Sequence, residues 1–204
     1  MRRILVLLTV MAAAVLLVSG VALAAKPLKA GRITINDSLT PPTTATPYPS
    51  QIVVSGLSGT IEDVNLKLTR FGHRCPDDVD ILLVGPTPTE ANAFVMSDVG
   101  GCGDSQPDSN VRNKTLILDD EATTSLPDTA PISSGTFKPT DSDTSTGTGD
   151  IDSFPAPAPT PGATALSVFN GTDPNGTWNL YVVDDAFLDQ GQLGGWALEI
   201  QTTP

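Results

Sequence analysis

Beyond residue 24 this 204-residue chain carries almost no helix signal; short runs rich in Val, Ile, Leu, Thr and aromatic residues recur instead between clusters of Gly, Pro, Asp and Asn. Runs of that length, closed by breakers, suit strands and are too short for helices, so their spacing predicts an all-β chain folded as an antiparallel β-sandwich. The expected strands are Gln51 to Ser55, Ile61 to Thr69, Asp80 to Val84, Ala93 to Ser97, Thr115 to Leu118, Gly135 to Lys138, Ala165 to Phe169, Trp178 to Val183 and Trp196 to Gln201. In the second, Val64, Leu66 and Leu68 point one way and Asn65, Lys67 and Thr69 the other, as in an antiparallel strand with one wet face. Ile81 to Val84 is apolar throughout and is expected to be buried on both faces. Near the end, Trp178, Leu180 and Val182 alternate with Asn179, Tyr181 and Val183, and Trp196, Leu198 and Ile200 with Ala197, Glu199 and Gln201, so each Trp should lead a buried face. Asn175-Gly176 before them is a tight-turn signal, because Gly takes positive φ freely and Asn tolerates it.

The first residues point to export. Arg2 and Arg3 precede an apolar run from Ile4 to about Val18, and Ala22-Leu23-Ala24 offers the small residues a signal peptidase needs, so residues 1–24 are expected to be a signal peptide. The run is shorter than the roughly 20 apolar residues of a membrane span. No Cys follows it to carry a lipid, and the chain closes on polar Thr202-Thr203, so no span is expected after leader removal. The short, Ala-rich leader is of bacterial type, which makes the sequons at Asn36, Asn113, Asn170 and Asn175 incidental. Loss of Arg2 and Arg3 leaves nine basic residues against 23 acidic ones, and the formal charge moves from −12 to −14. Nucleic acid is therefore excluded as an expected partner.

The remaining 180 residues suffice for a single core. Residues 25–50 read as a Pro/Thr-rich N-terminal linker, in which Ile33 and Ile35 could add an edge strand. Residues 51–204 form the expected domain, interrupted at about 141–164 by a stretch without apolar period that turns Pro/Ala-rich and reads as a long, mobile surface excursion.

Cys75 and Cys102 are the only cysteines, and in an exported chain oxidation is the default fate of such a pair, so a disulfide is expected. With only His73 nearby, two thiolates make an incomplete zinc set, although sequence leaves that alternative open. His73 is the only histidine, and no His-Glu-x-x-His, Gly-Thr-Ser nucleophile block or phosphate-cradling Gly loop is present, so a catalytic centre is not expected. Many acids and few aromatics make a glycosidase carboxylate pair uninformative. Calcium suits the acids better, since it takes six to eight oxygen ligands. The candidates fall in three clusters, around Asp78 and Asp80 with Asp77, at Asp119, Asp120 and Glu121, and at Asp184, Asp185 and Asp189.

Four blocks resemble the P domain, or P/Homo B domain, which accompanies kexin- and furin-like subtilases and bacterial secreted proteases. They are Gly59 to Leu68 (GTIEDVNLKL), Asp78 to Pro86 (DVDILLVGP), Leu118 to Ala122 (LDDEA) and Phe169 to Ile200, where Phe-x-Gly-x-Asp-x-Asn-Gly-Thr-Trp and Asp-x-Gly-x-Leu-x-x-Trp-x-Leu-x-Ile carry the likeness. The resemblance implies a jelly-roll topology, a role beside extracellular proteolysis and, as in some of these proteases, a place for calcium. Two features depart from it, the insertion at 141–164 and the Cys75/Cys102 pair, and the usual protease domain is missing. The expected function is a secreted, non-catalytic module that binds or stabilises an extracellular protease or a cell-surface ligand. The alternatives are a carbohydrate- or matrix-binding module and an orphan structural domain.

Overall fold

The computed structural model describes residues 22–23, 28–102, 111–142 and 152–203. Its strands are β1 (Ala22–Leu23), β2 (Leu28–Ala30), β3 (Ile33–Ile35), β4 (Thr43–Thr44), β5 (Ser50–Val54), β6 (Thr60–His73), β7 (Val79–Val84), β8 (Asn92–Ser97), β9 (Val111–Leu118), β10 (Gly135–Phe137), β11 (Thr140–Asp141), β12 (Gly176–Asp184), β13 (Gly191–Leu193) and β14 (Gly195–Thr203). Two short 3-10 helices, Pro76–Asp78 and Leu166–Phe169, are the other elements among the described residues. The first sheet is centred on β6, which pairs with β14 on one side and β9 on the other, and with β13 at its C-terminal end. The second runs β11-β8-β7-β12, with β5 and β4 along the far side of β12.

Alternation explains why these strands face each other. Val64, Leu66 and Leu68 of β6, Leu116 and Leu118 of β9, and Trp196, Leu198 and Ile200 of β14 turn inward from one sheet. Ile81 and Leu83 of β7, Val95 of β8, and Trp178, Leu180 and Val182 of β12 meet them from the other. Both tryptophans are core residues, as the alternation implies: Trp178 donates its indole N–H to Pro174 O at 3.0 Å, and Trp196 donates to Ser50 Oγ at 2.9 Å. A buried indole needs such an acceptor, and each has one.

Four expectations require correction. The pairing is not wholly antiparallel, since β10 runs parallel to β9 and β11 parallel to β8, making both sheets mixed. The cause is that Gly135 to Asp141 serves both sheets in turn, crossing from one to the other at a corner of the sandwich. The expected linker at 25–50, described from residue 28 onward, does not run as one: Ile33 and Ile35 are fully buried on β3, and Thr34 and Thr46 exchange backbone hydrogen bonds of 2.9 and 2.8 Å. This segment closes the opposite edge, passing from β13 to β12. Ala165 to Phe169 is not a strand but largely the second 3-10 helix, because Leu166 and Phe169 enter the core three residues apart, a spacing that suits a 3-10 turn and not a pleat.

The fourth correction concerns the excursion at 141–164, of which 143–151 lie outside the described residues. From Asp152 onward it lies against the outer face of the second sheet. Phe154 and Ala158 cover Leu82, Val84, Phe94 and Tyr181, with the Phe94 and Phe154 rings edge to face at 5.7 Å. Tyr48 donates its hydroxyl to Pro155 O at 2.8 Å, and Phe94 N donates to Ala163 O at 2.8 Å. The strap thus supplies the second cover that the apolar run Ile81 to Val84 of β7 demands.

Candidate functional site

The chemistry-bearing residues gather where β6 ends, β7 begins and β12 ends. A β-bulge in β6 decides which of them point inward. The register against β9 shifts between Leu68 and Phe71, where Arg70 takes φ 53, so the inward set changes from even to odd numbers and Phe71 and His73 become buried. Arg74 is left facing outward, 64% exposed.

His73 lies between two oxygen acceptors. Its Nε2 is 3.1 Å from Asp184 Oδ2 and its Nδ1 is 2.6 Å from Cys75 O, while Cys75 N makes a longer contact of 3.3 Å with Nδ1. A carbonyl and a carboxylate can only accept, so the shorter contacts favour the doubly protonated imidazolium, at the expense of the longer bond that Cys75 N–H donates to an unprotonated Nδ1. Burial pulls the His73 pKa down, but the Asp184 and Cys75 bonds and the charges of Asp184 and Asp78 outweigh it and hold the pKa above its usual value. The Asp78 pKa moves up as well: burial, then the Asp184 charge, raise it to about 7 against the opposing pull of His73. Gly191 of β13 passes so close that a Cβ there would collide with the His73 ring.

The backbone brings two of the three expected acid clusters to this one place. Asp184 is opposite Val79 in the β7–β12 ladder, Asp80 is opposite Val183, and Asp185 N donates to Asp78 O at 3.0 Å. Asp189 pairs with Arg74 at 3.5 Å. The third cluster stands elsewhere, after β9. There Asp120 accepts from Leu166 N at 3.0 Å and Ser167 N at 2.8 Å, one bond to each carboxylate oxygen, and Asp119 Oδ1 accepts from Glu121 N at 2.8 Å. Asp184 is similarly engaged, with Ala186 N at 3.3 Å on Oδ1 and His73 on Oδ2. Asp120 and Asp184 therefore fit a helix-capping role and an ion-pair role better than a cation sphere, since calcium binding would compete with those bonds.

Other groupings converge more closely. Asp78 and Asp189 bring carboxylate oxygens within 4.8 Å of each other and of the Cys75 and Cys102 sulfurs, which are joined as a disulfide with Cα atoms 4.5 Å apart. Asp98, Asp141 and Asp152 form a second group within the same span. Sequence spacing gave no sign of that trio, because β8, β11 and the strap bring its members together from 54 positions of chain.

Beside the His73 cluster a groove of about 690 Å³ opens between the ends of β6, β9 and β13. Arg74, Arg112, Asn113, Gln190 and Gln192 line it, with Asp37 and Asp189 also on its wall. No sequence signal singled it out, since its walls come from four separate parts of the chain. Among the described residues no helix is long and apolar enough to cross a membrane. Comparison with protein-family models finds no match, and neither does comparison with curated proteins.

Proposed function

We propose that this chain is a secreted, non-catalytic binding or stabilising module, a P/Homo B-like jelly roll acting beside extracellular proteolysis. The observation that carries the non-catalytic reading is the state of His73. The only imidazole in the chain is buried and engaged on both ring nitrogens, leaving none to take a proton from a serine or a water. The two-sheet architecture and the four sequence blocks support the P/Homo B assignment, and the disulfide supports an extracellular location. No cofactor is required for such a role.

The test is recovery of affinity-tagged protein from culture supernatant, followed by assay of the eluate for peptide hydrolysis. The expected result is a co-purifying serine protease whose thermal half-life shortens when the module is withdrawn. An eluate without hydrolytic activity, together with a protease indifferent to the module, overturns the link to proteolysis. A second reading, in which the module holds a surface polysaccharide, draws on the groove beside Arg74 and Arg112.

A further inference from the structure

Positive charge and unusual backbone geometry are concentrated around that groove. Arg70, Arg74, Arg112 and Lys114 account for four of the nine basic residues after residue 24, and all lie on or next to the facing ends of β6 and β9. Arg70 (φ 53), Asn113 (φ 56) and Leu188 (φ 86) adopt the left-handed conformation that residues other than Gly rarely take, and Asn113 and Leu188 line the groove itself. Such outliers persist only where the surrounding structure holds them, and their clustering around one concavity points from geometry to function.

The lining has a definite chemistry. Arg74 and Arg112 are exposed and offer planar guanidinium groups suited to a carboxylate. Asn113, Gln190 and Gln192 supply amide donors and acceptors, and Asp37 and Asp189 supply acceptors for hydroxyl groups. Leu188, 69% exposed, gives an apolar edge, and the adjacent Phe187 is 54% exposed, an aromatic left on the surface beside it. A polyanion without hydroxyls would meet Asp37 and Asp189 with nothing to donate to them, whereas an acidic sugar, whose every carboxylate is surrounded by hydroxyls, matches both signs of the wall. The volume lies within the roughly 300–1,000 Å³ typical of small-ligand sites.

The geometry points to a uronic-acid sugar, a carboxylate-bearing unit of an acidic polysaccharide, as the ligand of this groove. The assignment rests on the polysaccharide-holding reading and adds the class of sugar and the residues that select it. The guanidinium groups of Arg74 and Arg112 pair with the carboxylate, the amides and acids bond the hydroxyls, and Leu188 meets the apolar face of the ring.

Titration of the full chain with trigalacturonate by calorimetry tests it, with neutral galactotriose and a short polyglutamate as comparison probes. Saturable binding of trigalacturonate is expected, weakening at high salt and falling by about tenfold in Arg74→Gln and in Arg112→Gln, while the equally charge-changing Lys29→Gln on β2 leaves it within about twofold. Leu188→Ala should weaken it too. Equal binding of galactotriose overturns the role of charge, and equal binding of polyglutamate overturns the sugar. Absence of saturable trigalacturonate binding overturns the assignment as a whole. Sedimentation of the protein with an insoluble neutral polysaccharide in that case would leave the polysaccharide-holding reading standing without this ligand. Melting temperatures of the variants matching the parent separate loss of contact from loss of fold.

Discussion

At His73 and Asp78 two ionisable groups hold protons more tightly in the folded chain than an unfolded chain would. For His73 the opposing effect of burial is overcome by hydrogen bonding to Asp184 and Cys75; for Asp78 burial itself, with the charge of Asp184, raises the pKa from 3.8 to about 7. A raised folded-state pKa adds stability below the unfolded value and loses it as pH rises through the folded value. Stability should therefore fall as the solution passes from pH 4 to pH 8, the Asp78 share disappearing between 3.8 and about 7. In Asp78→Asn that share of the slope is removed. Urea midpoints of the variant should match the parent near pH 4 and exceed it at pH 8, and two parallel curves would contradict the account. Both residues were visible in the sequence, His73 as a cystine neighbour and Asp78 as one of many acids. Their coupling to Asp184 was not, because 111 residues separate His73 from its carboxylate and only the bulge in β6 turns the imidazole toward it.

Among the elements, strands that alternate cleanly were readable and those that change rule midway were not. Trp178 to Val183 grows only to Gly176–Asp184, and Trp196 to Gln201 to Gly195–Thr203. β6 instead continues four residues past its expected end at Thr69, because bulging restores an inward-facing Phe71 after the period breaks. Asn175-Gly176 also acts differently from a hairpin turn. Asn175 clamps the neighbouring loop through two bonds with Leu57, donated from Leu57 N at 3.0 Å and accepted by Leu57 O at 2.8 Å, and Gly176 opens β12 at φ 132 against Pro86. The strap shows the same limit on a larger element. Its Pro/Ala composition suggests loose chain, yet Phe154 seals an apolar sheet face. Phe154→Ala should cost about 2 kcal/mol by loss of buried aromatic area, read as a lower urea midpoint and faster proteolytic cleavage near residue 154. An unchanged midpoint with unchanged cleavage would show that the strap contributes nothing to holding this face.

For the whole molecule, the disulfide ties the entrance of β7 to the turn after β8 across 27 residues of chain. Closing a loop of that length restricts the unfolded ensemble, and the joint replacement of Cys75 and Cys102 by Ala should lower stability by about 3 to 4 kcal/mol. The parent in reductant should approach the same urea midpoint as that variant, and a midpoint insensitive to both changes would exclude a stabilising bridge. The all-β class, most strand positions, the burial of both tryptophans and the pairing of the cysteines were legible in the chain alone. Each of these follows from local alternation, turn chemistry or a pair with no other partner. Long-range pairing, by contrast, places residues 28–50 in the sandwich, brings two acid clusters together at His73, and puts Arg74 and Arg112 on one groove. Those outcomes depend on which strands become neighbours and on bulges that reverse a strand's facing, and such long-range choices leave no period in the chain to be read.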